Sequence, residues 1–261
     1  MNIGLISIIL AFILSLIAGL STGLGGCIAL FVKNTNTKFL AISLGFSAGV
    51  MIYVSMVEIL SEANNYLSIS FGEKIGTLYT IIGFFGGMLL INLINKLIPN
   101  DINIYNSQKN KARLMRTGLF TAIAIAIHNF PEGIATFISS VQSLKVGIPI
   151  VIAIALHNIP EGISVSVPIY YATNNKEKAF RYSLFSGMAE PLGALIGYLI
   201  LLPFMNDVIF GVLYAVVAGI MVFISIDELL PAAREYGKHS LSIYGLVGGM
   251  IFMSISLWLF I

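Results

Sequence analysis

Cysteine is almost missing from this sequence: Cys27 stands alone among 261 residues, which excludes a disulfide framework and a thiolate metal site within one chain. Charge is scarce too. Asp, Glu, Lys and Arg make up 10% of the residues, against about 25% in an ordinary soluble domain, so a soluble globular fold is excluded. Histidine occurs three times, with no histidine-rich tract and no His-Glu-x-x-His helix. That leaves no metalloprotease motif and too few imidazoles for a membrane di-iron oxidase. The net charge of +2 is distributed as loop charges rather than as a nucleic-acid surface, and no nucleic-acid partner is expected.

Apolar residues are abundant: 57% of the chain, with a mean hydropathy of +0.94. A span needs about 20 mainly apolar residues. On that criterion eight segments qualify, at about 3–32, 39–61, 75–98, 117–139, 146–170, 180–203, 208–232 and 240–260. The expected fold is an all-α polytopic membrane protein. It forms a single transmembrane domain over 1–261, with one long polar loop at 99–116 between the third and fourth spans. The first segment is too long for a cleavable signal peptide and too rich in glycine at Gly19, Gly23, Gly25 and Gly26, so it is read as a retained span whose glycines serve close packing. Twelve of the fourteen basic residues follow the odd-numbered spans, leaving only Lys74 and Lys145 opposite. By the positive-inside rule the basic side is cytoplasmic, so both termini lie outside a plasma membrane.

Two repeats organise the chain. HNFPEG at 128–133 and HNIPEG at 157–162 lie within twelve-residue stretches, 123–134 and 152–163, that share ten identities at an offset of 29. A weaker repeat relates AGVMIYVSMVEIL at 48–60 to AGIMVFISIDELL at 218–230, with six identities at an offset of 170. Each repeat pairs spans that run in opposite directions, the fourth with the fifth and the second with the seventh. This nesting predicts a 3+2+3 inverted repeat about an axis in the membrane plane. Such transporters bind substrate near the midplane on interrupted helices, and Pro131 and Pro160 are the expected interruptions.

On a helix, residues four apart share a face. His128 with Glu132, and His157 with Glu161, therefore form two converging pairs of ligand atoms. Two ionised carboxylates with two neutral imidazoles balance one divalent cation, and a mixed nitrogen and oxygen set admits several first-row metals. Each proline frees the carbonyl four residues earlier, at Ile127 and Leu156. Gly133 and Gly162 are expected to let the two motif helices approach closely. Asn129 and Asn158 point about 100° away from the histidines and serve either a neighbouring site or interhelical hydrogen bonds. Glu190, before Pro191, is the candidate to complete that neighbouring site, with a structural or proton-carrying role as the alternative. Glu58 and the Asp227-Glu228 pair close the longer repeat and are assigned to the entrance and exit of a metal path, or else to solvated membrane faces. Met51 and Met221 are its paired methionines, either packing or soft ligands. His239 receives no role.

Taken together, HNFPEG, HNIPEG, AEPLGA at 189–194 and SIDELLPAAREYG at 225–237 resemble the ZIP (Zrt/Irt-like) family of divalent metal transporters, and its bacterial ZupT-like branch most of all. The resemblance covers nearly the whole chain. It implies a ZIP-type fold of eight transmembrane helices and uptake of zinc, iron, manganese, cobalt or cadmium toward the cytoplasm. It also implies a binuclear centre. His128, Glu132, His157 and Glu161 would form the primary site, with Met51 near it. Asn129, Asn158 and Glu190 would form the adjacent site, bridged by the two glutamates. A homodimer in the lipid bilayer is implied, and no prosthetic group. The rival classes are an integral-membrane metalloenzyme and a metal-selective channel.

Overall fold

The structure, a computed structural model, describes residues 5–31, 36–97, 106–142, 144–201, 206–236 and 239–259. Among the described residues every regular element is helical. Helix α1 is Leu5–Phe31; α2, Thr37–Val54, runs through a π-helical turn, Ser55–Ile59, into α3, Leu60–Phe71. Then come α4 (Glu73–Leu97), α5 (Asn106–Gln142), α6 (Leu144–Thr173), α7 (Lys176–Gly187) and α8 (Ala189–Ile196), the last followed by a π turn, Gly197–Leu201. Helix α9, Asp207–Ile224, passes through a third π turn, Ser225–Leu229, into α10, Leu230–Tyr236, and α11 is His239–Leu259. Asn36, Asn175 and Asn206 cap α2, α7 and α9 by accepting from the backbone N–H three residues on, as short polar side chains at helix starts do.

Seven stretches among the described residues are long and apolar enough to cross a membrane: Leu5–Ile28, Thr37–Phe71, Glu73–Lys96, Lys111–Val141, Gly147–Thr173, Asp207–Glu235 and His239–Leu259. The segment expected as the sixth span, 180–203, is instead broken at Met188 between α7 and α8. Pro191 is the cause. It falls in the first turn of α8, where a missing N–H costs nothing, whereas a continuous helix would drive its ring into the carbonyl of Gly187.

Two other expectations are corrected. The stretch read as loop at 99–116 is helical from Asn106 onward, because Gln, Lys, Ala, Arg, Leu and Met are good helix formers; residues 99–105 lie outside the described residues. Pro131 and Pro160 do not interrupt their helices, since α5 and α6 continue through them. Tightly packed neighbours sustain a helix across the one hydrogen bond that a proline removes. At the opposite end the hairpin from α3 to α4 turns on Gly72, whose φ of 79° favours a residue without Cβ.

Glycine seams sort the helices into two groups. In the first, a Cβ on Gly25 or Gly162 would fall within 2.0 Å of the Ile159 or Thr22 carbonyl oxygen, joining α1 to α6. Gly19 and Gly187 join α1 to α7, and Gly133 and Gly193 join α5 to α8 in the same way. In the second, Gly45, Gly49, Gly245 and Gly249 join α2 to α11, while Gly87 and Gly219 join α4 to α9. These contacts, with α3 packed on α4 and α9 and α10 packed on α2, group α1 and α5 to α8 into one body and α2 to α4 with α9 to α11 into another. Polar contacts crossing between them include Ser47 Oγ donating to Pro160 O at 2.7 Å and Tyr171 OH donating to Asn36 O at 2.6 Å.

Candidate metal centre

Helices α5 and α6 cross with their HNxPEG motifs facing each other, and the histidine rings stand 6.2 Å apart, centroid to centroid. His128 is 1% exposed, His157 2%, Glu132 8% and Glu161 0%, so these groups have been withdrawn from water. His157 Nε2 lies 3.1 Å from Glu132 Oε1. His128 Nε2 lies 3.3 Å from Glu132 Oε2 and 3.6 Å from Glu161 Oε1.

Ligand atoms of His128, Glu132 and His157 all fall within 4.8 Å of one another. Bonds of about 2.0–2.1 Å in a tetrahedral zinc site put neighbouring donor atoms about 3.4 Å apart. The observed separations bracket that value. The first-site residues expected from sequence are therefore brought together, with Glu132 central and Glu161 joined through His128.

Asn129, Asn158 and Glu190 surround the other side. Asn158 Nδ2 donates to Glu190 Oε2 at 2.9 Å and to Ala18 O at 3.0 Å, and Asn129 Nδ2 donates to Ser186 O at 3.4 Å. Those bonds turn each amide oxygen away from its partners. Asn129 Oδ1, Asn158 Oδ1, Glu190 Oε1 and Glu161 Oε2 are buried without a hydrogen-bond partner, and Glu132 Oε2 and Glu161 Oε1 have only His128 Nε2 within ion-pair distance. An unsatisfied buried polar atom costs about 1–3 kcal/mol, and more when charged. A membrane interior furnished with so many unpaired acceptors is suited to a cation.

The motif glycines act differently from expectation. Gly133 receives the Glu190 backbone of α8, and Gly162 receives Thr22 of α1. Each lies five residues past its histidine, about 140° around the helix, and so faces away from the opposing motif. They fix the helices that carry Glu190 and Ala18 O against the centre.

A cavity of about 440 Å³ runs from this centre toward the end opposite the basic loops. His128, Glu132 and His157 are at its inner part, and Glu58, Glu62, Tyr66, Asp207, Phe210 and Tyr214 line the rest. Glu58 thus lines the approach from that side. Glu62 and Asp207 were not picked out from sequence, although Glu62 is one helical turn from Glu58 and shares its face.

Asp227 and Glu228 sit at the other end, in a polar cage. Arg116 Nη1 donates to Glu228 Oε1 at 3.1 Å, Thr117 Oγ1 to Glu228 Oε2 at 3.0 Å, and Asn95 Nδ2 to Asp227 Oδ2 at 3.2 Å. Arg116 also bonds Asn95, and Arg113 pairs with Glu235. Sequence reasoning counted Arg116 only as a topological charge. Met51 is 1% exposed, inside the main core cluster with Met221 and Ile125, which gives it a packing role whether or not it ligates.

A family profile described as ZIP Zinc transporter matches residues 104–257, and a zinc transporter ZupT from Streptococcus mutans is 59% identical over 257 residues, 96% of this chain and 97% of that protein. The chain belongs to the ZIP family. Zinc transporters ZupT from Lysinibacillus sphaericus and Clostridium perfringens are 59% identical over 266 residues and 54% over 277; each alignment covers 98% of this ZIP chain, and 99% and 97% of the relative respectively. The ZIP profile takes in both HNxPEG motifs and the Asp227-Glu228 turn. The metalloenzyme reading ends here, because the family is one of transporters.

Proposed function

We propose that this ZIP chain takes up divalent metal into the cytoplasm, with zinc as its foremost substrate and iron, manganese, cobalt and cadmium within its chemical range. The observation that carries this reading is the buried trio of His128, Glu132 and His157, spaced like donors around one ion. His128, Glu132, His157 and Glu161 hold the transported ion. Asn129, Asn158 and Glu190, with the glutamates as bridges, hold a second ion beside it, and Met51 packs against or weakly ligates the first.

In this reading the broken α7–α8 segment is the sixth of eight spans. The helices form a 3+2+3 inverted repeat within one domain, with both termini outside a plasma membrane. The π turns support the repeat. Ser55–Ile59 and Ser225–Leu229 are separated by the offset of 170 found in the sequence, although nothing in residue type alone dictates a π turn. Metal enters past Glu62, Glu58 and Asp207 and leaves past Asp227-Glu228. The body containing α5 and α6 carries it by moving against the other, so access alternates between the two ends.

The test is uptake of zinc, iron and manganese isotopes by proteoliposomes containing the purified chain, beside a His128→Ala, His157→Ala variant that stays folded. Saturable zinc uptake lost in the variant is expected. Uptake unchanged in the variant removes the site assignment, and uptake that never saturates favours a channel.

A further inference from the structure

The two repeats carry the Arg116–Glu228 contact onto a second pair at the far end of the molecule. The offset of 170 relates Glu228 to Glu58, and both occupy the fourth place of a five-residue π turn. The offset of 29 relates Arg116 to Lys145. An inverted repeat exchanges the two ends, so Lys145 stands to Glu58 as Arg116 stands to Glu228.

Lys145 is one of two basic residues on the side otherwise free of them, where the positive-inside rule gives no reason for a cation. It is exposed near the start of α6, and among the described residues no carboxylate is paired with it. Glu58 is exposed along the cavity. Arg116 and Lys145 each lie twelve residues before their motif histidine, about 18 Å along the helix, at opposite ends of the metal-bearing body. Both carboxylates belong to the other body.

We infer that the chain has two alternating charge latches: Arg116 on Glu228 closes the basic end in the conformation described, and Lys145 on Glu58 closes the cavity end after the metal-bearing body has moved. One displacement toward the basic end carries Arg116 past Glu228 and brings Lys145 down to the level of Glu58. The two latches cannot be engaged together. Thr117, which also donates to Glu228, has Val146 as its counterpart, and a lysine ammonium lacks the fork of a guanidinium. The cavity-end latch is the weaker one, in keeping with that end being open here.

This inference rests on the alternating-access reading, and its test needs no metal. In a Cys27→Ser chain reconstituted at full length, Arg116→Cys with Glu228→Cys, and separately Lys145→Cys with Glu58→Cys, are treated with a short bifunctional maleimide. Both pairs are expected to cross-link. The second yield rises several-fold when Glu228→Gln releases the basal latch, while an Asn64→Cys, Thr80→Cys control within one body, where the native side chains lie 3.4 Å apart, does not respond. Glu228→Gln also opens Thr121→Cys, buried at 0% exposure, to an impermeant thiol reagent from the basic side. A second pair that never links while the first does, or whose yield ignores Glu228→Gln, overturns the alternation. A first pair that fails to link overturns the latch altogether. Cross-linking as expected in a chain that moves no zinc would refute the cargo and leave the latches standing.

Discussion

Glycine positions in α5 and α6 carry more of the site than their lack of a side chain suggests. A Cβ at Gly162 would sit 1.9 Å from the Thr22 carbonyl oxygen, whereas one at Gly86 meets nothing within 4 Å. Gly162→Ala must therefore push α1 from α6 and is expected to cost about 1–3 kcal/mol, the usual range for overpacking. Gly86→Ala, freed of glycine's helix penalty of about 1 kcal/mol, should be neutral or better. Thermal melting in detergent distinguishes them, and equal melting temperatures would show that the seam tolerates a methyl group. At this scale the centre was largely legible: a histidine and a glutamate four apart, twice over, can face one way only. The pairing of Asn158 with Glu190 follows the grouping read from sequence, but the other partners of Asn129 and Asn158 were not legible, because Ser186 and Ala18 act through backbone carbonyls, which leave no mark in a sequence.

Helical elements were legible where hydrophobicity alone sets them, which accounts for the positions of seven spans. Local backbone chemistry hid the rest. The break at Met188 follows from Pro191 falling in a first turn rather than mid-helix, and apolar length cannot tell these apart. The helical start of α5 at 106–116 is polar and so reads as loop, although Arg113 and Arg116 anchor it to Glu235 and Glu228. The π turns were wholly hidden, since their extra residue shows only in hydrogen bonding. They make a prediction at this scale. Deleting Ile226 from Ser225–Leu229 removes the extra residue of the turn and shifts Asp227 and Glu228 against Asn95, Arg116 and Thr117, which now bond them. Helix content by circular dichroism should be unchanged while zinc uptake drops at least tenfold. Wild-type uptake in the deletion would mean that the turn has no part in the path.

Across the whole molecule, the glycine seams and the cross-body polar contacts have opposite mechanical meanings. Seams bring backbone directly against backbone, whereas Tyr171 OH on Asn36 O and Arg116 on Glu228 and Asn95 join the bodies through side chains that can change partners. In the alternating-access cycle proposed above, a site lined by α5 and α6 and backed by α1 and α8 would move as a unit and keep its ligand spacing. If so, a covalent tie has an effect that depends on where it falls. In a Cys27→Ser chain, bridging Thr22→Cys to Ser183→Cys, where Ser183 Oγ already lies 2.7 Å from Thr22 O, ties two members of one body and should leave zinc uptake within twofold of the unbridged chain. Linking Asn36→Cys to Tyr171→Cys with a short reducible bifunctional thiol reagent, which spans the length of the lost tyrosine ring, ties one body to the other at the basic end and should stop uptake until the link is cut. Should the first bridge stop uptake as completely as the second, the metal-bearing helices must shift against one another and not as a block.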